Sequence, residues 1–409
     1  MNKFLLNDFH SEIFNFASCD DLAKNLKECY GSETIFFTPE CISPPADFLN
    51  LHQSKKLYFI QLENLNKILE FYQNDLVIKV ETGINIIDLN NYLKTYNQCF
   101  LNSESLENCD NILQSNDFSL MNLIANNNGG FYESFTDGLR HQILGLDVIL
   151  PNGKMINGGG KVVKNVTGFD ITKLFIGSHN CFGLPVRAYL RLKACEQLSR
   201  LFIIQAYDIQ SLIDAYLKFS QLDMPLAGLD IVNRNFFEAN YVGAISYKNC
   251  ESNFFLFGQF TDSMINEHSL KNILGQSLKV KSISMDSQIY GYLSGLSDIN
   301  GYQKIEISAS LAFVPSVLTA LPQALIQYRP RTNRLFVYVD INNDINDMVV
   351  DLEKLCLEFK ENIVINYRTH PLANGIKRLP QGNYFESALF QNLKEKIDPY
   401  NCFNPLVLF

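Results

Sequence analysis

Positive charge is not in excess in this chain. Its 34 Lys and Arg stand against 43 Asp and Glu, a net charge of −9, which denies it an electrostatic grip on nucleic acid or anionic lipid. No run of about 18 apolar residues occurs, so the sequence offers no membrane-spanning helix. The amino-terminal MNKFLLNDFHSEIFNF carries Asp8 and Glu12 inside its apolar stretch, and no small-residue cleavage pattern follows. That argues against a secretory signal and for the cytoplasm, with peripheral attachment through partners left open. The ten cysteines contain no CxxC pair. Cys29, Cys99, Cys181 and Cys356 stand singly among apolar residues and read as reduced core thiols, so no metal site is expected, and any iron–sulfur centre belongs on another chain.

What is present is concentrated between Gly145 and Lys193. Leu146, Val148 and Leu150 alternate as in a strand, Pro151-Asn152-Gly153 supplies turn chemistry, and Met155-Ile156 restarts an extended segment toward Gly158-Gly159-Gly160. KNVTGFD follows, from Lys164 to Asp170, and Gly168, Gly177 and Gly183 each fall between apolar runs. A residue without Cβ allows positive φ there, or lets a flat ring or a diphosphate lie against the main chain.

The segment resembles the second half of the FAD-binding domain of the vanillyl-alcohol-oxidase-like flavoproteins, whose run there is KNVxGYDxxxLxxGSxGTLGxxxxxxLRL. Lys164, Asn165, Val166, Gly168, Asp170, Leu174, Gly177, Ser178, Gly183, Leu190, Arg191 and Leu192 match it. The tail LFQNLKEKIDPYNCFNP resembles the family's closing LKxxFDPxGxxNPG, with Leu393, Lys394, Asp398, Pro399, Asn404 and Pro405 in register. Within the family the likeness is greatest to the FAD-binding subunit of bacterial-type glycolate oxidase. The resemblance implies non-covalent FAD, oxidation of a 2-hydroxy acid such as glycolate, and partners that are a catalytic flavoprotein paralogue and an iron–sulfur subunit. It also implies a cofactor site at Ser119, Asn126, Gly129, Gly130, Arg140, Lys164, Asn165, Val166, Gly168, Gly177, Gly183 and Leu184.

Periodicity alone gives a mixed α and β chain. Helical spacing runs over 20–30 and after Asn85, where Ile86, Leu89, Asn90 and Leu93 share a face, and a helix is also expected over Leu65–Tyr72. Beyond Cys195 the pattern restarts as two rounds of strand and helix, with helices expected near 209–222, 265–274, 316–327 and 349–359. Such alternation suits an antiparallel sheet with helices on one face. The expected fold is α+β. With the resemblance, residues 1–195 are the FAD-binding domain of two sub-sheets, 196–384 an α+β cap that shapes the substrate pocket, and 385–409 a segment returning to the first domain.

Two departures from the family bear on the cofactor. Its first diphosphate loop is glycine-rich, because successive N–H groups must converge on phosphate oxygens. The corresponding FFTPECISPPADF, residues 36–48, has no glycine and three prolines without N–H. The second loop reads SLMNLIANNNGG, with Met121-Asn122 where the glycine pair stands, leaving Asn and Ser side chains as donors and Asn126 to Gly130 as a permissive turn. A flavin-poor structural subunit is therefore the alternative to a working flavoprotein. Gly158–Gly160 reads as a hairpin tip, Asp170 as a helix cap, His179 as a solvated loop residue, and Arg140 as a contact for a phosphate or an internal carboxylate. Oxidising a hydroxy acid needs a cation for its carboxylate and a base for its hydroxyl proton. Arg329, Arg331, Arg368 and His370 are the catalytic candidates, in a charge run with Arg334 and Arg378 whose ordinary reading is a solvated rim.

Overall fold

Strand pairing decides the architecture of the computed structural model, which describes residues 11–14, 16–38, 54–101, 119–133, 138–161, 170–195, 200–241, 252–283 without 263, 276 and 277, residue 293, 302–340, 351, 352, 354, 355, 358, 362–364 and 384–404. The fold is α+β. Strands β1 (Ser11–Phe14), β2 (Thr34–Phe37) and β3 (Lys56–Ile60) form a small parallel sheet with β3 in the centre. Its core takes Leu22 and Leu26 from helix α1 (Cys19–Cys29), whose first turn is capped by the Ser18 side chain.

The second sheet is antiparallel. It is built from β4 (Ile68–Tyr72), β5 (Val77–Glu81), β7 (Ile143–Ile149), β8 (Met155–Gly159) and β9 (Leu184–Arg191), while β6 (Gln98–Cys99) pairs with β10 (Lys193–Ala194). After β5 the chain turns at Gly83 into helix α2 (Ile86–Lys94), capped by Asn85. A Cβ on Gly83 would lie 1.8 Å from the Leu62 carbonyl oxygen, so no other residue permits this approach. Helix α3 (Leu120–Asn126) is buried at every position, giving Leu120, Leu123 and Ile124 to one apolar cluster and Met121 to the cluster under the small sheet. Helices α4 (Leu139–Gln142) and α5 (Thr172–Phe175) are single turns beside β7 and β9.

Residues from Leu201 onward build one antiparallel sheet of eight strands. These are β11 (Leu201–Ala206), β12 (Leu226–Asn233), β13 (Phe254–Phe260), β14 (Lys279–Ile283), β15 (Tyr302–Ser308), β16 (Leu325–Arg329), β17 (Arg334–Asp340) and β18 (Asn362–Val364), in the order β14-β11-β13-β12-β16-β17-β15-β18. Two four-stranded halves meet at the short β12–β16 pairing, Ile231 with Tyr328 and Val232 with Gln327. The period of two sorts the side chains. Phe202, Ile204, Leu229, Ile231, Leu256, Ile305, Ile307, Ile326, Leu335 and Val337 point to one face, covered by helices α6 (Ile209–Gln221), α8 (Glu267–Leu274) and α9 (Val314–Ala320). The alternate residues face the amino-terminal half, where Ile203, Phe255 and Phe257, with Phe236 and Tyr241 of α7 (Arg234–Tyr241), share one apolar cluster with Phe131, Tyr132 and Leu139.

The carboxy-terminal helix α10 (Tyr384–Ile397) leads back to the small sheet. Phe403 pairs alongside Phe36, with Phe36 N–H donating to the Cys402 carbonyl and Asn404 N–H to the Phe36 carbonyl.

Two expected elements differ. The helix expected over Leu65–Tyr72 is the edge strand β4, because pairing with β5 through the turn Gln73–Asp75 overrides the helical spacing of its apolar residues. The helix expected over 316–327 runs instead over Val314–Ala320, and β16 begins at Leu325 after Pro322. Gly158 and Gly159 are no hairpin tip: they pair with Leu146 and Gly145 inside β8. The helix expected over 349–359 lies mostly outside the described residues.

Candidate functional site

The turn after α3 faces the eight-stranded sheet and accounts for its own donors. Ser119 caps the helix by accepting from Asn122 N–H, while Leu120 and Met121 N–H donate to the carbonyls of Ile84 and Thr82. Asn127 closes the helix in the left-handed conformation, and its N–H and that of Asn128 go to the Ile124 and Leu123 carbonyls. Gly129 N–H donates to Glu133 Oε1 at 2.7 Å, and Gly130 N–H to Asn128 Oδ1 at 3.0 Å. Asn126 turns inward and donates to Asn122.

The loop from Gly177 to Gly183 lies against this turn. Gly177 N–H donates to the Ile124 carbonyl and His179 N–H to the Ala125 carbonyl, and Gly177 takes a φ of 81° beside Asn127. The tail locks the other side of the loop. Buried Lys394 donates to the carbonyls of Cys181 and Phe403, each at 2.6 Å, and to Asp398 at 2.8 Å. Asp398 also accepts from Phe403 N–H and the Cys402 thiol. Burial, with Asp398 beside it, pushes the Cys402 thiol up, and burial pushes Cys181 up to about 12. Asn404 Nδ2 donates to Thr38 Oγ1 and to the His179 carbonyl, and Asn180 Nδ2 donates to the same Thr38 hydroxyl. The Asn180 and Asn127 Oδ1 atoms are buried without a partner among the described residues.

Across the seam the eight-stranded sheet presents charge. Arg329 is fully buried, donating from Nε to Asp230 at 3.2 Å, from Nη1 to Asn128 Oδ1 at 3.1 Å and from Nη2 to the Leu293 carbonyl. Its Nη1 lies 3.5 Å from Glu133 Oε2. Arg334 donates to Glu133 Oε1 at 2.9 Å, to Glu306 at 2.7 Å and to the Asn127 carbonyl at 2.8 Å. Both guanidinium groups and the Lys304 ammonium stand over the Phe336 ring. Burial pushes the Asp230 carboxyl up to about 7, against the pull of Arg329. Burial also works against the Glu306 charge, but Arg334 and Lys304 together outweigh it and hold that carboxyl below its usual range. Phe131 seats its ring on Gly228 of β12, where a Cβ would lie 2.4 Å from it, and Tyr132 O–H donates to Gln259.

Of the expected cofactor residues, Ser119 and Asn126 lie at the two ends of α3, Gly129 and Gly130 in the turn after it, Gly177 beside Asn127, and Gly183 and Leu184 packed on β7. Arg140 donates to the Lys173 carbonyl, and Lys173 to the Arg140 carbonyl. Asp170 accepts from Thr172 N–H and Oγ1 at the start of α5, as a cap does. Arg329 and Arg334 are buried rather than part of a solvated rim, while Arg331, at the tip of the β16–β17 hairpin, is exposed. Lys164, Asn165, Val166, Gly168, Arg368, His370, Arg378 and residues 39–48 of the first diphosphate loop lie outside the described residues. Sequence reasoning missed Glu133, Asp230, Glu306 and Asn180. The signal for the first three was a charge at a core-facing register of a strand, or beside a buried aromatic pair.

The described residues meet FAD unevenly. The orphaned Asn127 and Asn180 oxygens suit a ligand bearing N–H or O–H donors, as the flavin ring and ribityl chain do. A diphosphate finds no unspent N–H among Leu120–Asn122 or Asn127–Gly130, and meets the Glu133 carboxylate instead.

Residues 49–159 match the family described as FAD binding domain. The chain is 24% identical over 175 residues to a probable mitochondrial D-lactate dehydrogenase of Danio rerio, covering 42% of this chain and 33% of that protein. It is 29% identical over 131 residues to the glycolate oxidase subunit GlcD of Bacillus subtilis, covering 32% of this chain and 26% of that protein. The matches thus span a third or less of these relatives' length. Among solved structures, an alkyldihydroxyacetonephosphate synthase superposes with a TM-score of 0.64 at 12% identity, over 96% of this chain and 75% of that one. Residues 49–159 thus match an FAD binding domain, which supports FAD as the cofactor, and the α+β fold is the one seen in the alkyldihydroxyacetonephosphate synthase structure.

Proposed function

We propose that the chain is an FAD-linked oxidoreductase subunit acting on the CH–OH group of a 2-hydroxy acid, glycolate in the first instance, within a complex that carries the electrons onward. The observation that supports this most is the convergence of three separate stretches on one place: the turn after α3, the Gly177–Gly183 loop, and the tail anchored by Lys394. The first of these lies inside the matched FAD-binding segment. Converting glycolate to glyoxylate removes a proton from the hydroxyl and a hydride from the adjacent carbon, and bound FAD supplies the hydride acceptor. The chain's own contribution is positional: Asn127 and Asn180 offer buried acceptors, and the cap sheet closes the site from water. Residues 1–195 and 385–409 form the flavin-holding part in this reading and 196–384 the cap. Partners in this reading are a flavoprotein paralogue and an iron–sulfur protein. No described helix is long and apolar enough to cross a membrane.

A second reading, a flavin-poor structural subunit of the same complex, is favoured by one observation, the internally spent donors of the Leu120–Gly130 stretch. The visible spectrum of the purified chain, alone and with copurifying partners, separates the two. Flavin bands, one FAD released per chain on denaturation, and bleaching by glycolate, D-lactate or D-2-hydroxyglutarate support the first. A colourless chain that still copurifies with a second flavoprotein supports the other.

A further inference from the structure

The cap sheet carries a built anion site that is already full. Gly129 N–H, Arg334 Nη1 and Arg329 Nη1 converge on a single carboxylate, that of Glu133, at 2.7, 2.9 and 3.5 Å. Glu133 is 2% exposed and its side chain belongs to the opposite half of the molecule, so it enters the sheet's charge cluster as a ligand would. Other donors of the two guanidinium groups go to Asp230, Glu306, Asn128 and two backbone carbonyls. Three cations, Lys304, Arg329 and Arg334, thus face three carboxyl groups, Asp230, Glu133 and Glu306, so the arginines are engaged without any added anion.

The seat is closed sterically as well. Phe131 lies on Gly228 and Tyr132 is tied to Gln259, so these two residues, next to Glu133, form a plug between the two halves. An incoming carboxylate would have to displace Glu133 and leave it buried without its partners, which costs more than a surface exchange.

We propose that Glu133 is a built-in carboxylate occupying an anion site made by Gly129, Arg329 and Arg334, and that small carboxylates are excluded from these arginines. The geometry stands whatever the flavin's substrate is. Its corollary, that a 2-hydroxy acid is not held by Arg329 or Arg334, rests on the proposed activity.

The test uses the full chain and formate as the probe, read by thermal unfolding in sodium formate against sodium chloride at equal ionic strength. Formate leaves the parent's Tm unchanged. Glu133→Ala lowers the Tm, and formate restores at least half of the loss in a saturable way. The double variant Glu133→Ala with Arg334→Met gives no such response. A saturable rise in the parent that Arg334→Met abolishes, or a Glu133→Ala protein indifferent to formate, overturns the proposal. Should Glu133→Ala fail to fold in both salts, Glu133→Gln and Arg334→Met decide it as a pair: losses in Tm that fail to add support a shared site, and losses that add overturn it. None of these readouts involves flavin or turnover, so the absence of hydroxy-acid oxidation would not affect them.

Discussion

Asp230 shows how a single buried charge makes stability depend on pH. Its folded-state pKa is raised to about 7 by burial, which Arg329 only partly offsets. Below about pH 4 both folded and unfolded states hold the proton and nothing is lost. Between there and about pH 7 the unfolded state has released its proton while the folded state keeps it, so stability falls as pH rises, by up to about 4 kcal/mol at roughly 1.4 kcal/mol per unit. Asp230→Asn lacks this titration. The difference in Tm, variant minus parent, is expected to shift in the variant's favour between pH 5 and 8, and a flat difference across that range would refute the assignment. The thiols give a second expectation at this scale. Cys181 and Cys402 are buried with raised pKa values, so they should stay unmodified by iodoacetamide in the native chain and react only on unfolding. The arginines mark the limit of the sequence. YRPRTNR reads as a charged turn, yet its first and last arginines are the terminal residues of β16 and β17, and whether such a residue points to water or into a seam depends on what covers the sheet.

Elements were legible where a local rule and tertiary pairing agree. The strand, glycine and helix from Val77 to Lys94 follow from sequence alone, because Asn85 caps, Ile86, Leu89 and Leu93 share a face, and Gly83 is the one residue admissible at the turn. β4 was not legible, since Leu65, Ile68 and Tyr72 fit a helix as well as an edge strand, and the decision came from β5. The glycines allow a paired measurement. Gly83→Ala forces a Cβ into the backbone at Leu62 and should leave little soluble, folded protein. At Gly160 no atom lies within 4 Å of the added Cβ, and Gly160→Ala should leave the stability within about 0.5 kcal/mol of the parent's. Equal behaviour of the two variants, read by soluble yield and circular dichroism, would mean that the approach at Leu62 is not as drawn.

At the scale of the molecule, the fold was legible from two distant motifs because the tail physically meets the Gly177–Gly183 loop: Lys394 spans from Phe403 to Cys181, and Asn404 from Thr38 to His179. The seam was not legible, because its polar residues come from five strands and one turn far apart in sequence and share only a face. That seam is more than its ion pairs. Ile203, Phe255, Phe257, Phe236 and Tyr241 of the cap belong to the same apolar cluster as Phe131, Tyr132 and Ile143, and a shared hydrophobic core couples the unfolding of its two sides. Arg334→Met removes the partner of Glu133 and Glu306, a loss of about 3–5 kcal/mol for a broken buried pair, but leaves that cluster in place. Calorimetry should therefore give one endotherm for the parent and one, at lower temperature, for Arg334→Met. Two resolved endotherms in the variant would mean that the ion pairs, rather than the aromatic cluster, make the two halves one cooperative unit.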